Sequence, residues 1–243
     1  MRVAVLSDVH GNRHAFEAVL RDVDAADVAE IWCLGDVVGY GADPNDCVDL
    51  ARERCAITLA GNHDLAVTGD LSLEDFSRGA ALAARWTTDV LAEERLAWLG
   101  RLEPKAQRAG AGLYHASPRD PVWEYVISVL LADLCFDAAP ERVCLVGHSH
   151  VALAFHRRDG ERAGGERRYA DDAADLSEGR WLLNPGSVGQ PRDGDPRAAW
   201  LLLDLEGRTA TWKRVPYDVA AAARAIRAAR LPESLAERLE YGQ

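Results

Sequence analysis

The sequence lacks any long apolar run. No stretch of the 243-residue chain approaches the roughly 20 apolar residues needed to cross a bilayer. The amino terminus enters a short apolar stretch directly after Met1 and Arg2, without a secretory pattern. We therefore expect a cytoplasmic protein that does not act at a membrane. No internal repeat or linker-like segment divides the chain, which predicts one domain over residues 1–243.

Closely spaced cysteines are also absent. The chain has five cysteines, and none of them forms a CxxC pair. Cys33 and Cys144 lie inside apolar strand candidates. Buried, reduced thiols are therefore expected in preference to disulfides or metal thiolates.

The sequence also lacks an excess of positively charged residues. Lys and Arg number 28 against 39 Asp and Glu, which gives a net charge of −11. This charge disfavours long-range attraction to a nucleic-acid backbone, so a nucleic-acid polymer is not the expected partner. A small phosphorylated substrate held by local positive charge fits better. The net charge of −11 is also compatible with a role in keeping the protein surface soluble and nothing more. The sequence does not indicate an oligomeric state.

The apolar residues that are present, 48% of the chain, suffice for a sizeable core. Short apolar runs at residues 2–6, 31–34 and 57–59 alternate with segments of helical periodicity. This order predicts an α/β fold with a parallel or mixed sheet covered by helices. Residues 72–102 are predicted to be helical, with Ser72 and Asp75 as a capping box. Residues 157–179 are predicted to be an exposed loop between later antiparallel strands, and Asp218 and Pro232 are predicted to begin two terminal helices.

Five of the apolar runs end in side chains that can bind a metal. In open α/β sheets, ligands bind beyond the carboxyl ends of the strands, so these side chains are expected to share one site. A single His there is more often an ordinary polar residue, and a single Asp is often a helix cap, but five strand ends together favour a site. The side chains concerned are Asp8, His10, Asp36, Asn62, His63, His115, His148 and His150.

The types of ligand in this set narrow the range of metals that the site could bind. The set contains imidazoles, carboxylates and one amide but no thiolate, which suits Mn, Fe, Zn, Co or Ni better than Cu(I) or an iron–sulfur cluster. Two such ions held together can clamp the attacking and leaving oxygens of an in-line displacement. Ligand type alone does not choose among the five metals.

The order of the motifs resembles that of the calcineurin-like metallophosphoesterases, and the resemblance runs from residue 1 to about residue 197. It implies a sandwich of two mixed β-sheets flanked by helices, with a dinuclear metal site at the carboxyl ends of the strands. The activity implied is phosphoester hydrolysis, in which a metal-bound hydroxide attacks phosphorus in line. The motifs are Asp8-x-His10, Gly35-Asp36-x-x-Gly39, Gly61-Asn62-His63-Asp64, His115 and Gly147-His148-x-His150.

The resemblance also implies a ligand assignment for two divalent or trivalent transition-metal ions, with manganese favoured. Asp36 would bridge the two ions. The remaining ligands divide into two sets, Asp8, His10 and His150 for one ion and Asn62, His115 and His148 for the other.

His63 remains after the ligands are assigned. It stands beside Asn62, and we expect it to act as the acid for the leaving group or as a hydrogen-bond donor in the transition state. Asp64 either orients His63 or caps the next helix. Asn12 either supports the ligands from behind or is an ordinary turn residue after Gly11.

Two further segments are candidates for the border of the site. Residues 184–192, with Asn184 and Arg192, resemble a loop that borders the site in small bacterial members, although glycine and proline there also fit a tight sheet corner. Arg119, shortly after His115, is a second candidate for holding phosphate. The aromatic segment at residues 122–125 is either core or pocket rim.

The substrate expected is a phosphodiester or a small nucleotide. The protein serine/threonine phosphatases of the superfamily, the first alternative, continue their Gly-Asp motif with an Asp-Arg pair, where this chain has Gly39-Tyr40. The second alternative is a non-catalytic metal-binding scaffold, because some members of the fold have lost ligands. No ligand position is lost in this sequence.

Overall fold

The computed structural model describes residues 1–243, which form twelve strands and eight helices. The strands are β1 (Arg2–Leu6), β2 (Glu30–Cys33), β3 (Ile57–Thr58), β4 (Lys105–Arg108), β5 (Ala111–Tyr114), β6 (Val143–Leu145), β7 (Ala152–Arg157), β8 (Gly164–Arg167), β9 (Ala173–Asp175), β10 (Arg180–Pro185), β11 (Ala198–Asp204) and β12 (Thr209–Val215). The helices are α1 (Arg13–Asp24), α2 (Pro44–Arg54), α3 (Asn62–Thr68), α4 (Arg78–Val90), α5 (Glu93–Leu99), α6 (Val129–Ala138), α7 (Val219–Ala228) and α8 (Glu233–Tyr241).

The strands form two six-stranded sheets, and both sheets are mixed. The first has the order β3-β2-β1-β11-β12-β9, and the second has the order β4-β5-β6-β10-β7-β8. The pairs β1–β2 and β2–β3 are parallel in the first sheet, as are β5–β6 and β6–β10 in the second. The expected sandwich of two mixed sheets flanked by helices is confirmed.

Alternation along β1 shows how the layers assemble. Val3 and Val5 belong to the apolar cluster between the two sheets, together with Leu113, Leu145 and Leu183 of the second sheet. The intervening residues Ala4 and Leu6 belong to the cluster under α1 and α2. Successive side chains of a strand point to opposite faces, so an uninterrupted apolar run is what a strand buried on both faces requires.

The two C-terminal helices form a separate layer over one end of the sandwich. Ile226 of α7 and Leu235 and Leu239 of α8 pack in one apolar cluster with Tyr40 and Ala83. This cluster joins α7 and α8 to α4 and to the segment after β2. The C-terminal helices therefore lie beside the motif loops.

Two local predictions were wrong. The side chain of Ser72 does not cap a helix; α4 begins after Ser77, whose Oγ accepts the N–H of Ala80 at 3.3 Å. Residues 72–102 contain two separate helices, α4 and α5. The segment 157–179 is largely exposed but contains β8 and β9, which extend the edges of the two sheets through antiparallel pairing with β7 and β12.

None of the helices combines the length and the apolar character required to pass through a bilayer.

Candidate metal centre

The side chains that follow the strands converge on one edge of the sandwich. Asp8 and His10 follow β1, Asp36 follows β2, and His115 follows β5. Parallel strands that lie side by side have their carboxyl ends at the same edge, and both sheets present such an edge here. Asn62 and His63 begin α3 after β3, while His148 and His150 follow β6.

Several of these residues adopt a backbone conformation that side chains other than glycine rarely adopt. A residue held in this left-handed region costs on the order of 1–3 kcal/mol, and such strain is concentrated at functional sites. The tight turns at the strand ends therefore aim these side chains into one place at the expense of local stability. The residues and their φ angles are Asp8 (56°), His10 (51°), Asp36 (53°), His148 (63°) and His150 (58°).

The turns also approach one another closely, and two glycines permit this. A Cβ atom at Gly61 would lie 2.0 Å from Oδ1 of Asp36, and a Cβ atom at Gly147 would lie 1.9 Å from Oγ of Ser7. Neither space admits even a methyl group. The backbone at Gly61 thus packs directly against the carboxylate of Asp36.

The potential ligand atoms fall into two clusters that share Asp36. Within each cluster these atoms lie within 4.8 Å of one another. Oδ2 of Asp36 lies 3.5 Å from Nε2 of His10 in the first cluster and 3.6 Å from Nε2 of His115 in the second. The first cluster consists of Asp8, His10, Asp36 and His150, and the second of Asp36, His115 and His148.

The ring orientation of these imidazoles is fixed by backbone carbonyls. Nδ1 of His10, His115 and His150 donates to the carbonyls of Val38, Leu34 and Gln190, at 3.2, 2.9 and 2.6 Å. Each of these bonds leaves the Nε2 lone pair directed into the cluster. His148 is reversed: its Nε2 donates to the carbonyl of Trp123 at 3.2 Å, which leaves Nδ1 as its ligand atom. Metal-binding histidines usually have such a partner on the other ring nitrogen.

The electrostatics of the first cluster fit a cation. Nε2 of His10 and Nε2 of His150 are 3.0 Å apart, although both rings already use Nδ1 as the donor. Two facing lone pairs at this distance repel unless a positive charge lies against them. Oδ1 of Asp8 is buried without a hydrogen-bond partner, although it lies 3.4 Å from Nε2 of His150.

Burial is the main cause of the shifted pKa values in these clusters. Burial raises the pKa of Asp8 to about 7, and burial followed by repulsion from Asp64 raises the pKa of Asp36 well above its usual range. Burial lowers the pKa values of His10, His148 and His150 well below the usual range, with neighbouring charged groups adding to the effect. The histidines are therefore neutral ligands at pH 7, and the buried carboxylates need a cation to remain ionised.

Asn62 and His63 lie next to each other in the first turn of α3. Oδ1 of Asn62 lies 3.2 Å from Nε2 of His115, at the second cluster. His63 is almost fully buried, and its Nδ1 has no hydrogen-bond partner. Its ring contacts the rings of Tyr40 and Phe76, at centroid distances of 4.4 and 5.1 Å. Burial lowers the pKa of His63 to about 3, so this imidazole is also neutral at pH 7 and has one N–H to donate.

Asp64 accepts three backbone N–H groups and makes no hydrogen bond to His63. These come from Gly61, Val37 and Val38, at distances of 2.9, 3.3 and 3.1 Å. Asp64 thus caps α3 and holds the segment after Asp36. Of the two roles considered for Asp64, the contacts fit the cap.

Asn12 and Asn184 support the metal clusters from outside. Oδ1 of Asn12 caps α1 by accepting the N–H of Ala15, and its amide donates to the carbonyl of Gly189 at 2.9 Å. The amide of Asn184 donates to the carbonyl of Gly147 at 2.7 Å. Asn12 therefore connects the turn after β1 to the loop after β10, and Asn184, near the end of β10, connects that strand to the turn that carries His148.

A cleft of about 340 Å³ opens over the two clusters. Trp123 and Tyr125 lie in its wall, so the aromatic segment forms the pocket rim, with Phe76 of the segment before α4 opposite. Arg192 also lines the cleft, whereas Arg119 is not part of its lining and pairs with Glu124 at 3.1 Å. The cleft is lined by Asp36, Tyr40, Asn62, His63, Asp75, Phe76, Ser77, Ala80, Trp123, Tyr125, His148, His150, Arg192 and Arg238.

Tyr40 and Arg238 are among the cleft residues that were not anticipated from the sequence. Tyr40 packs its ring against His10 at 4.7 Å and its hydroxyl accepts from Arg192 at 3.3 Å; its place after Gly39 in a motif was the available signal. Arg238 reaches the cleft from α8, far along the chain from every motif. No local pattern distinguishes it from the other arginines of the C-terminal helices.

The model of one family, described as the calcineurin-like phosphoesterase superfamily domain, matches residues 1–208. The chain belongs to this superfamily. The two clusters occupy the edge of the sandwich at which the motifs of the superfamily were expected to meet. Membership in the calcineurin-like superfamily and the buried His and Asp clusters together indicate a metal-binding phosphoesterase.

Similar proteins extend over the whole length of this superfamily member. The uncharacterized protein MJ0912 of Methanocaldococcus jannaschii is 37% identical over 246 residues, covering 99% of this chain and 98% of that protein. The crystal structure of a metallophosphoesterase from Sphaerobacter thermophilus superposes with a TM-score of 0.90 at 42% identity, covering 100% and 99% of the two chains. The hypothetical protein PH1004 of Pyrococcus horikoshii OT3 shares the fold, with a TM-score of 0.80 at 18% identity over 100% and 98% of the chains.

Proposed function

We propose that this chain is a dinuclear metal-dependent hydrolase of small, nucleotide-like phosphate esters. The observation that carries the proposal is the position of Asp36, whose Oδ2 lies between the two ligand clusters at the base of an open cleft. One carboxylate within reach of both clusters fits a bridge between two ions. A site for a single ion would not require the second cluster.

The residues of the clusters would hold two divalent or trivalent transition-metal ions, with manganese favoured over iron, zinc, cobalt and nickel. Bound there, the ions would supply Lewis-acid charge for an in-line displacement at phosphorus. Asp8, His10 and His150 would hold one ion, while Asn62, His115 and His148 would hold the other. The backbone partners of the imidazoles keep their lone pairs in place before any ion binds.

His63 and Arg192 would act on the substrate directly. His63 lines the cleft, with its ring centroid 4.9 Å from that of His10, and its imidazole N–H can donate to an oxygen of the phosphate or of the leaving group. The guanidinium of Arg192 is held by Tyr40 and by Gln190, at 3.3 and 3.0 Å. Both bonds use Nη2 and Nε is buried, so Nη1 is the nitrogen left to donate to phosphate oxygens.

The walls of the cleft favour a small nucleotide over a phosphoprotein. Trp123, Tyr125 and Phe76 offer aromatic faces against which a base can stack. Gly39 and Tyr40 stand where the protein phosphatases carry an Asp-Arg pair, and the ring of Tyr40 packs on His10 and His63. The chain therefore lacks the phosphate-gripping arginine of those enzymes at this position, while the cleft gains an aromatic wall.

The experiment is metal analysis of the purified protein followed by assays with each metal. Matched p-nitrophenyl mono- and diesters, one series carrying a nucleoside, would measure which ester is preferred. We expect two ions per chain and the highest kcat/KM on a nucleoside diester. His10→Ala should lose activity and metal, whereas His156→Ala, which changes a histidine stacked on Trp181 away from the clusters, should retain both. Metal binding without turnover of any ester would favour the scaffold alternative.

A further inference from the structure

Arg192 and Arg238 approach the same cleft from different parts of the chain. Arg192 lies in the loop after β10, and its backbone N–H donates to the carbonyl of the proposed ligand His150 at 3.1 Å. Arg238 lies in the last helix, α8, which is beyond the residues matched by the family model. Both side chains line the cleft.

One buried amide holds both guanidinium groups. Oε1 of Gln190 accepts from Nη2 of Arg192 at 3.0 Å and from Nη1 of Arg238 at 3.2 Å. Gln190 is 1% exposed, and its backbone carbonyl accepts from Nδ1 of His150 at 2.6 Å. The two cations are therefore fixed side by side and are tied to the first metal cluster through a single residue.

The helix that carries Arg238 is itself anchored to the loop of Arg192. The carbonyl of Gly242, just after α8, accepts the N–H of Gly194 at 3.0 Å. Leu235 and Leu239 on the inner face of α8 are buried in the cluster that includes Tyr40. Arg238 thus reaches the cleft from a packed element.

Neither guanidinium forms an ion pair with a carboxylate. Their neighbours Arg214 and Arg227 do, with Asp193 and Glu233. Asp75 lines the same cleft but pairs with neither arginine. Nε of both Arg192 and Arg238 is buried without a hydrogen-bond partner, and burial together with the charge of Arg192 lowers the pKa of Arg238.

Two adjacent cations without a counter-ion repel each other unless a bound anion neutralises their charge. The carboxylates of Asp8 and Asp36 attract Arg192, but neither forms an ion pair with Arg192 or with Arg238. We propose that Arg192 and Arg238 form a subsite for a second phosphate group, so that the substrates preferred are nucleoside diphosphates or longer oligophosphate esters. The inference rests on the proposed function, since the first phosphate is the one placed over the metal clusters.

The arrangement accounts for the geometry of both arginines. One phosphate at the clusters and the next between the guanidinium groups gives each anionic group its own cationic partner. Charge-assisted hydrogen bonds from a guanidinium are among the stronger polar contacts, and losing one lowers affinity by about tenfold to 100-fold. The gain applies only to ligands with a second phosphate.

The test compares two inhibitors of aryl ester hydrolysis that differ by one phosphate. Adenosine 5′-monophosphate has one, and the non-hydrolysable α,β-methylene analogue of adenosine diphosphate has two; free metal is held constant in both series. We expect the diphosphate analogue to inhibit the metal-loaded wild-type protein about tenfold or more better than the monophosphate. Arg238→Gln should remove most of that advantage, whereas Arg224→Gln, which removes an exposed arginine of α7, should leave it unchanged.

Equal inhibition by the two nucleotides in the wild type would overturn the inference, and so would an advantage that survives Arg238→Gln. A variant that weakens both nucleotides equally would also overturn it, because the arginine would then act on the cleft as a whole. Thermal unfolding checks that Arg238→Gln folds. If Arg238→Gln does not fold, Arg238→Lys replaces it; this variant keeps the charge and should retain part of the advantage of the diphosphate analogue. If no ester is hydrolysed, the proposed function fails, while calorimetric binding of the same nucleotides still tests the subsite.

Discussion

His63 is the one imidazole of the five at the site that lies in neither ligand cluster. Its backbone N–H donates to Oδ1 of Asp36 at 2.9 Å, so the residue is held at the centre even though its side chain is unpaired. Nδ1 of His63 is buried against Gly39, so Nε2 is the ring nitrogen left to meet a substrate in the cleft that His63 lines. A donor to the leaving group and a donor to the phosphate have different kinetic signatures.

His63→Ala should leave both metals bound and slow hydrolysis by about 10²- to 10³-fold, the usual cost of removing one hydrogen-bond donor to the transition state. If His63 protonates the leaving group, the loss is larger for an alkyl ester than for a p-nitrophenyl ester, whose leaving group hardly needs a proton. Steady-state rates on both esters, with metal content measured in parallel, check this. Equal losses on the two esters would assign His63 to positioning of the phosphate.

The close approach of Gly61 to Asp36 gives a second prediction for a single residue. A methyl group at Gly61 would overlap the carboxylate, so Gly61→Ala should displace Asp36 and lower both metal content and activity. Gly79 in α4 serves as the matched control, because a methyl group there would have no atom within 4 Å. Gly79→Ala should keep the activity, and its unfolding temperature should not fall, because alanine favours helix. Full activity in Gly61→Ala would show that the turn can move away from Asp36.

At the level of elements, the strands that carry the motifs could be predicted because each lies in a short apolar run, and β1, β5 and β6 are almost entirely buried. The same reasoning missed β8 and β9, where the sequence is charged and rich in glycine. These strands lie at sheet edges, and β8 is formed by pairing with β7 rather than by burial. The start of α4 was misplaced because Ser72 and Ser77 are similar local signals, and only packing decides between them.

The features of the site likewise divide into those that the sequence could predict and those that it could not. The convergence of the candidate ligands could be predicted because each follows closely on a strand end, whereas their binding of metal stays a prediction. The pairing of Arg192 with Arg238 could not, because it depends on where α8 packs in three dimensions. The sequence allowed two roles for Asp64, and the choice depends on N–H groups of residues 37 and 38 that lie far from it along the chain.

The two sheets are joined at one edge by an ion pair between elements. Glu30 of β2 accepts two bonds of 2.6 Å from the guanidinium of Arg108 in β4, and a bond of 2.7 Å from the indole of Trp32. The hydrogen bonds from Arg108 and then from Trp32 lower the pKa of Glu30 to about 2. A carboxyl group whose pKa is lowered by folding stabilises the fold above its unfolded pKa and loses this effect as the pH falls through the folded pKa.

Glu30→Gln should therefore lower the free energy of unfolding at pH 7, and the difference from wild type should shrink as the pH falls from about 4.5 to about 2. The effect should be small, because the pair is partly exposed to solvent. Urea unfolding of both proteins across this range checks it. Glu53→Gln, which changes an exposed residue of α2, should show no such dependence, and a constant difference for Glu30→Gln would remove the ion pair from the explanation.

For the whole molecule, a net charge of −11 is compatible with an anionic substrate because the charge at the site differs from that of the surface. Two divalent ions would add about four positive charges to the clusters, and Asp8 and Asp36 would neutralise about two of them. Arg192 and Arg238 add further positive charge to the wall of the cleft. We therefore expect local charge to govern recognition at short range and the acidic surface to disfavour long polyanions.

The central claim, that Asp36 joins two metal ions into one centre, is tested most directly by metal stoichiometry in Asp36→Asn. The substitution preserves size but removes the negative charge between the clusters, and elemental analysis of wild type and variant prepared together measures the outcome. We expect two ions per chain in the wild type, and in the variant a loss of metal together with a collapse of ester hydrolysis. A variant that retains two ions and near wild-type turnover would contradict the claim.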